Sequence, residues 1–372
     1  QVMPDPALTR LSAVALAQRI RARGTSAAEV LEAHLAAVER HNRSINAICT
    51  LAADPARDTA ARIDAMLASV EDPGALAGVP VGIKDVTLTA GIRTTFGSKL
   101  FAEHVPREDA EVVARLKAAG AVIIGKTNTP EFAAGANTVN AVFGATRNPW
   151  DLRMSASGST GGGAAALASG MIALAEGTDF GGSLRTPAAF CGVVGLRTTA
   201  GLIPKHPSVL PWHDQSVEGP MARSAADCAL MLDAMTGLSA NSPLSCVPPW
   251  TSAFETVSGT RALSGLRLAY CPDIAGIGVD RELERLCREA AFGLAQAGAS
   301  VEEVSHDLAD GTAAFLALRA QAMLGTHWER LDRLDQINAN LAANIRAGLD
   351  ISVRDIAAAE RKRADIWRRW RV

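Results

Sequence analysis

Lysine is scarce in this chain. Only six of its 37 basic residues are lysines, at positions 84, 99, 117, 126, 205 and 362, and all the others are arginines. Coding bias is the plain explanation, yet it singles out each lysine that is retained. Cysteine is scarce too. Six cysteines in 372 residues make a poor disulfide framework, and no C-x-x-C pair points to zinc. Aromatic residues make up 4%, with Tyr270 the lone tyrosine, and give no signal of substrate selectivity. Charge of one sign is missing as well. The net charge of −2 leaves no electrostatic footprint for nucleic acid. No apolar run reaches the roughly 18 residues of a membrane span. Residues 1–10 lack a basic segment followed by an apolar one, so no secretory leader is expected.

What is present is a foldable core. The chain is 48% hydrophobic and 20% charged, which excludes solvated disorder over most of its length. Residues 1–72 read as a helical region. Leu8, Leu11, Val14, Ala15 and Ala17 give one apolar stripe. Ser26 and Glu29 have capping-box spacing and open a helix to about Arg40. A third helix runs from Asp54 to Val70, and Pro73-Gly74 breaks the pattern.

From residue 76 to 236, short apolar runs alternate with helical stretches. Strands are expected at 79–83, 121–124, 171–175 and 193–196, and helices at 109–119, 161–169 and 225–235. Residues 239–265, rich in Ser and Pro, read as a linker or surface excursion. Beyond them lie a strand at 266–270, a helix at 281–297, a strand at 301–304 and a helical stretch from 306 on. This alternation predicts an α/β fold around a mixed or parallel sheet. No internal repeat is evident.

The densest chemistry lies between 155 and 187. Ser157-Gly158-Ser159-Thr160-Gly161-Gly162-Gly163 runs directly into a helix, and such a turn offers N–H groups and a positive dipole end to an anion. No Gly-Lys-Ser/Thr follows, so it is not a phosphate loop. In Asp179-Phe180-Gly181-Gly182-Ser183-Leu184-Arg185, two glycines let the backbone expose N–H groups around Ser183, a setting for a nucleophile beside an oxyanion hole. Neither Ser159 nor Ser183 fits the Gly-x-Ser-x-Gly elbow.

A nucleophilic serine needs a base. None of the seven histidines (34, 41, 104, 206, 213, 306, 327) sits in these motifs. His34 and His41 read as surface residues of a helix, and His206 and His213 lie in a Pro-rich loop fit to line a pocket. A Ser-His-Asp triad is therefore disfavoured, and no His-Glu-x-x-His spacing offers a metal. Lysine is the alternative base. Lys84 ends the strand Val79–Ile83, where burial would lower its pKa toward neutrality. The rival reading pairs it with Asp85 or another acid, and spacing alone favours that pair.

Taken together, these motifs resemble the amidase signature family, serine hydrolases with a Ser-cis-Ser-Lys triad. The resemblance rests on Gly78–Asp85, Gly125–Phe132, Ser157–Gly163, Asp179–Arg185, Cys191–Arg197 and Gly219–Arg223, and it spans about residues 8 to 372. It implies a single domain with a central twisted mixed β-sheet covered by helices on both faces. It further implies Ser183 as nucleophile, Lys84 as base, and Ser159, after a cis Gly158–Ser159 peptide, as the bridge between them. The N–H groups of Phe180, Gly181, Gly182 and Ser183 would form the oxyanion hole. Thr160 would support the network, and Asp179 with Arg185 would hold the loop. Phe180, a threonine in many relatives, would narrow the acyl pocket.

The implied activity is hydrolysis of a small-molecule carboxamide through an acyl-enzyme, with no cofactor and no metal. The expected setting is cytoplasmic, without nucleic acid or a membrane span, with a homodimer as the form of self-association. The 266–372 part is expected to be short relative to the family, which would leave one pocket wall incomplete. Two alternatives stand. One is the glutaminase-type A subunit of a tRNA-dependent amidotransferase. The loop Pro204–Gln215 and the absence of basic patches argue against it. The other is a non-catalytic binding protein of the same fold, which three intact triad positions disfavour.

Overall fold

A computed structural model describes residues 5–259 and 262–371. The N-terminal helices start at side-chain caps. Helix α1 (Ala13–Arg21) opens where Ser12 accepts the Ala15 N–H at 3.1 Å. Helix α2 (Ala27–Ile45) opens at the expected capping box, with Ser26 and Glu29 satisfying each other's N–H groups. Its buried face carries Val30, Leu31, His34, Leu35 and Val38. His34 is thus no surface residue. It follows Val30 and Leu31 by four and three positions, which sets it on the apolar stripe. Its Nδ1 meets the Val30 carbonyl at 2.9 Å, and burial lowers its pKa to about 4.

Then come β1 (Ile48–Leu51), α3 (Ala53–Ala68), β2 (Pro80–Lys84), α4 (Glu111–Ala118) and β3 (Val122–Thr127). Strands β4 (Val139–Asn140) and β5 (Gly144–Ala145) form a small separate hairpin. Next are α5 (Gly161–Ala168), β6 (Leu174–Asp179), α6 (Arg185–Cys191), β7 (Val194–Gly195), β8 (Val217–Ala222), α7 (Ala225–Met235) and α8 (Ala253–Ser258). Six of these strands form one sheet in the order β1-β3-β2-β6-β8-β7. Strand β2 runs parallel to both β3 and β6, whereas β1, β8 and β7 run antiparallel to their neighbours. This is the mixed sheet that the sequence predicts.

Three details differ from the sequence reading. Strand β6 starts at Leu174 rather than 171 and continues through Glu176, Thr178 and Asp179. Strand β8 forms around Gly219 and Pro220, and β1 forms just after α2. Proline cannot donate to a ladder, so a proline in an inner strand argues against one from sequence alone. Here Pro220 faces Glu176 in register, and its carbonyl accepts from Leu196 N–H at 3.1 Å.

The chain divides into two compact units. One takes the residues up to Ser258 together with Asp335–Leu341, and the other takes Gly259–Leu334 and the chain from Ala342 on. The first break falls inside the Ser- and Pro-rich stretch 239–265. The second unit carries β9 (Arg267–Tyr270), α9 (Arg281–Gln296), β10 (Ser300–Glu303), α10 (Gly311–Thr326), most of α11 (Ala339–Asp350) and α12 (Val353–Trp370). Strands β9 and β10 pair in parallel, and α10 packs on α12 through Ala314, Leu318, Ile356 and Ala359. Among the described residues, no helix is long and apolar enough to cross a membrane.

Candidate active site

All the residues singled out from the sequence lie in the first unit, at the carboxyl end of β2, around the start of α5 and on the turn between β6 and α6. Lys84 is the last residue of β2 and is fully buried. Its Nζ lies 2.7 Å from Ser159 Oγ, 2.9 Å from Thr160 Oγ1 and 2.9 Å from Thr178 Oγ1. No carboxylate approaches within ion-pair distance of it among the described residues. The acid-pair reading therefore fails. Asp85 turns the other way and accepts from Thr95, at 3.1 Å from the N–H and 2.5 Å from the hydroxyl.

Three hydroxyl oxygens around one nitrogen serve either protonation state, since an ammonium donates to all three and a neutral amine donates to two and accepts from the third. Burial pushes Lys84 down to about 7, against the pull of Glu176 and Asp179. No histidine is among its hydrogen-bond partners. Thr178, which sequence reasoning missed, completes the cradle. Its only signal was its place beside Asp179 in the second motif.

The Ser157–Gly163 loop is packed tightly against β3. A Cβ at Gly162 would come within 2.3 Å of the Asn128 nitrogen, so only glycine fits there. The Gly158–Ser159 peptide is cis, as is His206–Pro207. The start of α5 is not open to an anion. Gly161 N–H donates to Thr138 Oγ1 at 3.0 Å, and Gly162 N–H to the Asn128 carbonyl at 3.2 Å. These protein acceptors take the donors that the sequence reading offered to a ligand.

The β6–α6 turn is organised by Asp179. Gly182, at φ 114°, allows the chain to reverse there. The buried Asp179 carboxylate takes the N–H groups of Gly182 and Leu184 at 2.9 and 3.1 Å and both arms of Arg185 at 3.0 Å. Arg197 adds a further bond at 2.9 Å, a second cation that the sequence did not assign. Burial alone would raise Asp179, but the Arg185 bonds and the two N–H groups outweigh it and hold the carboxyl well below the usual carboxylate range.

This geometry removes one expected oxyanion donor, because the Gly182 N–H is committed to Asp179. The N–H groups of Gly181 and Ser183 donate to nothing among the described residues. Ser183 is half-buried. Its carbonyl accepts the Thr160 N–H at 3.2 Å, which ties the two loops together. Its hydroxyl makes no hydrogen bond among the described residues, so the structure joins Lys84 to Ser159 without a bond from either to the Ser183 hydroxyl. The Phe180 ring meets His213 edge-on at 5.3 Å, which brings the Pro-rich 204–215 loop over the turn. Among the described residues, no His, Cys, Asp and Glu cluster is arranged to hold a metal ion.

Known proteins share this arrangement of elements. The amidase family profile matches residues 29–365. An acylamidase of Rhodococcus erythropolis is 36% identical over 372 residues, covering 99% of this chain and 77% of that protein. The A subunit of the glutamyl-tRNA(Gln) amidotransferase of Chromohalobacter salexigens is 39% identical over 306 residues. That match covers 82% of this chain but only 61% of the subunit's length. A crystal structure of a bacterial aryl acylamidase superposes with a TM-score of 0.87 at 27% identity, covering 96% of this chain and 77% of its own. The motifs, the sheet order and these matches agree: the chain belongs to the amidase signature family.

Proposed function

We propose that this protein is an amidohydrolase that cleaves the C–N bond of a small carboxamide with Ser183 as nucleophile, Ser159 as bridge and Lys84 as base. The observation that carries this reading is the buried Lys84 amine, held 2.7 Å from Ser159 within three hydroxyl oxygens. A lysine so placed gives up its proton near neutral pH, which arginine cannot do.

The steps follow from that placement. The Ser183 hydroxyl rotates onto Ser159. Neutral Lys84 takes the Ser159 proton as Ser159 takes the proton of Ser183. The Ser183 oxygen bonds to the amide carbon, and the carbonyl oxygen becomes an anion facing the Gly181 and Ser183 N–H groups, with Phe180 N–H as the expected third donor. Lys84 returns the proton through Ser159 to the leaving nitrogen, and the C–N bond breaks. Water then hydrolyses the Ser183 ester by the same route, releasing a carboxylic acid and free enzyme. Thr160 and Thr178 keep Nζ aimed, while Asp179, with Arg185 and Arg197, holds the turn.

The match to an acylamidase covers 77% of that protein and that to an amidotransferase subunit covers 61% of its length, which favours a free-standing amidase. A fluorophosphonate probe tests the chemistry without knowledge of the substrate. It should label Ser183, and a panel of aliphatic, aryl and cyclic amides should show amine or ammonia release. A chain that takes no label at Ser183 is a binding protein instead. Glutamine hydrolysis that requires a partner protein and charged tRNA would favour the subunit reading.

A further inference from the structure

Of the five lysines outside the triad, one is fully buried. Lys126, in β3, is as fully buried as Lys84 and lies in register with Ile83 on the neighbouring strand. Its Nζ donates to the Thr87 carbonyl and, at 2.8 Å, to Thr89 Oγ1. The Thr87 hydroxyl in turn donates to Glu176 Oε1 at 3.1 Å, and the other oxygen of Glu176 accepts the main-chain N–H of Lys84 at 3.1 Å. Glu176 is itself fully buried in β6. The reason for this bond lies in the sheet. Strand β2 pairs with β6 at Val81 and Gly82 and then parts from it, which makes room for the Lys84 side chain but leaves the Lys84 N–H without a ladder partner. The Glu176 carboxylate fills that gap.

We propose that Glu176 is a positioning residue for the base. Its carboxylate fixes the Lys84 backbone and sets the pH at which Lys84 becomes neutral, while Lys126, acting through Thr87, holds Glu176 charged. This rests on Lys84 being the base. The groups around the network support the assignment. Lys84 faces Glu176 and Asp179 from β6. Glu176 faces Lys84 from β2, Lys126 from β3 and Glu218 from β8. Lys126 also faces Asp85, Cys49 and Asp109, and Lys205 faces Glu218. Burial, with Glu176 nearby, pushes Glu218 up to about 8, and burial raises Glu176 as well. Against that burial, the nearby Lys126 and Lys84 and the hydrogen bonds received by both Glu176 oxygens favour its charged form.

The test is the rate of fluorophosphonate labelling at Ser183 from pH 5 to 9.5 in the full chain. Glu176→Gln keeps the shape and removes the charge, so its acid limb should move to lower pH by about one unit or more. Glu176→Asp keeps the charge and loses reach, so it should slow labelling while leaving the limb where the wild type has it. An unmoved limb in Glu176→Gln overturns the proposal, and so does a limb that shifts down in Glu176→Asp. Either variant suffices if the other does not fold. Failure of the wild-type chain to label at Ser183 would instead defeat the reading of Lys84 as base.

Discussion

The two compact units place their charged residues in opposite ways. In the first, Lys84, Asp85, Lys126, Glu176, Asp179, Glu218 and Asp227 are all buried. In the second, no Lys, Arg, Asp or Glu is buried among the described residues. Its ion pairs, such as Arg288 with Glu284 and Glu303 or Asp310 with Lys362 and Arg369, lie on exposed helix and strand surfaces. The second unit follows the ordinary rule: apolar stripe inward, charge outward. The first breaks it where the chemistry lies. Charge taken out of water is tolerated only when hydrogen bonds replace the lost hydration, and each buried group there except Glu218 Oε2 has such partners. One result is a lowered proton affinity at the Lys84 amine.

Substitutions can break this contrast, and the expected effects fall in a clear order. Replacing Ser183 or Lys84 by Ala should lower amide hydrolysis and probe labelling by about 10⁴-fold or more while the thermal melt persists. Near-normal turnover by Ser183→Ala on any amide would reject the assignment. Asp179→Ala comes next. It leaves the buried Gly182 and Leu184 N–H groups without an acceptor, which should cost about 2–3 kcal/mol in denaturant unfolding and slow labelling as the turn loosens. A third check needs no mutation. If Lys84 is the base as proposed, activity should be half-maximal near pH 7, nearly full about one unit above it and fall roughly tenfold for each further unit below it. A limb set near pH 4 would instead indicate a carboxylate base. The smallest effect belongs to the second unit. Arg288→Ala removes two exposed ion pairs, with Glu284 and Glu303, and its melting curve should lie close to that of the wild type. A large shift there would erase the contrast between the units.

Local pattern carried much of the fold. The helix at 225–235 was legible to the residue, and the capping box at Ser26 and Glu29 fixed the start of α2. Apolar periodicity and cap chemistry act over a few residues, so the sequence displays them directly. The errors lie where distant contacts decide. The polar run Glu176 to Asp179 hid the true extent of β6, because those side chains face partners on β2, β8 and the β6–α6 turn rather than following a strand pattern. His34 looked like a surface group by residue type, although its helix position already placed it on the buried stripe.

By itself the sequence determined which residues make up the candidate site. Lys84, Ser159 and Ser183 stand in motifs whose order and spacing belong to one family, and its fold followed from them. Only the tertiary structure decided what state those residues are in. It turned Asp85 away from Lys84, supplied Thr178 as a third hydroxyl and gave the Gly182 N–H to Asp179. It also set Glu176 and Lys126 behind Lys84. These outcomes depend on which groups lose water together, and that is a property of strands and loops far apart in sequence and packed side by side.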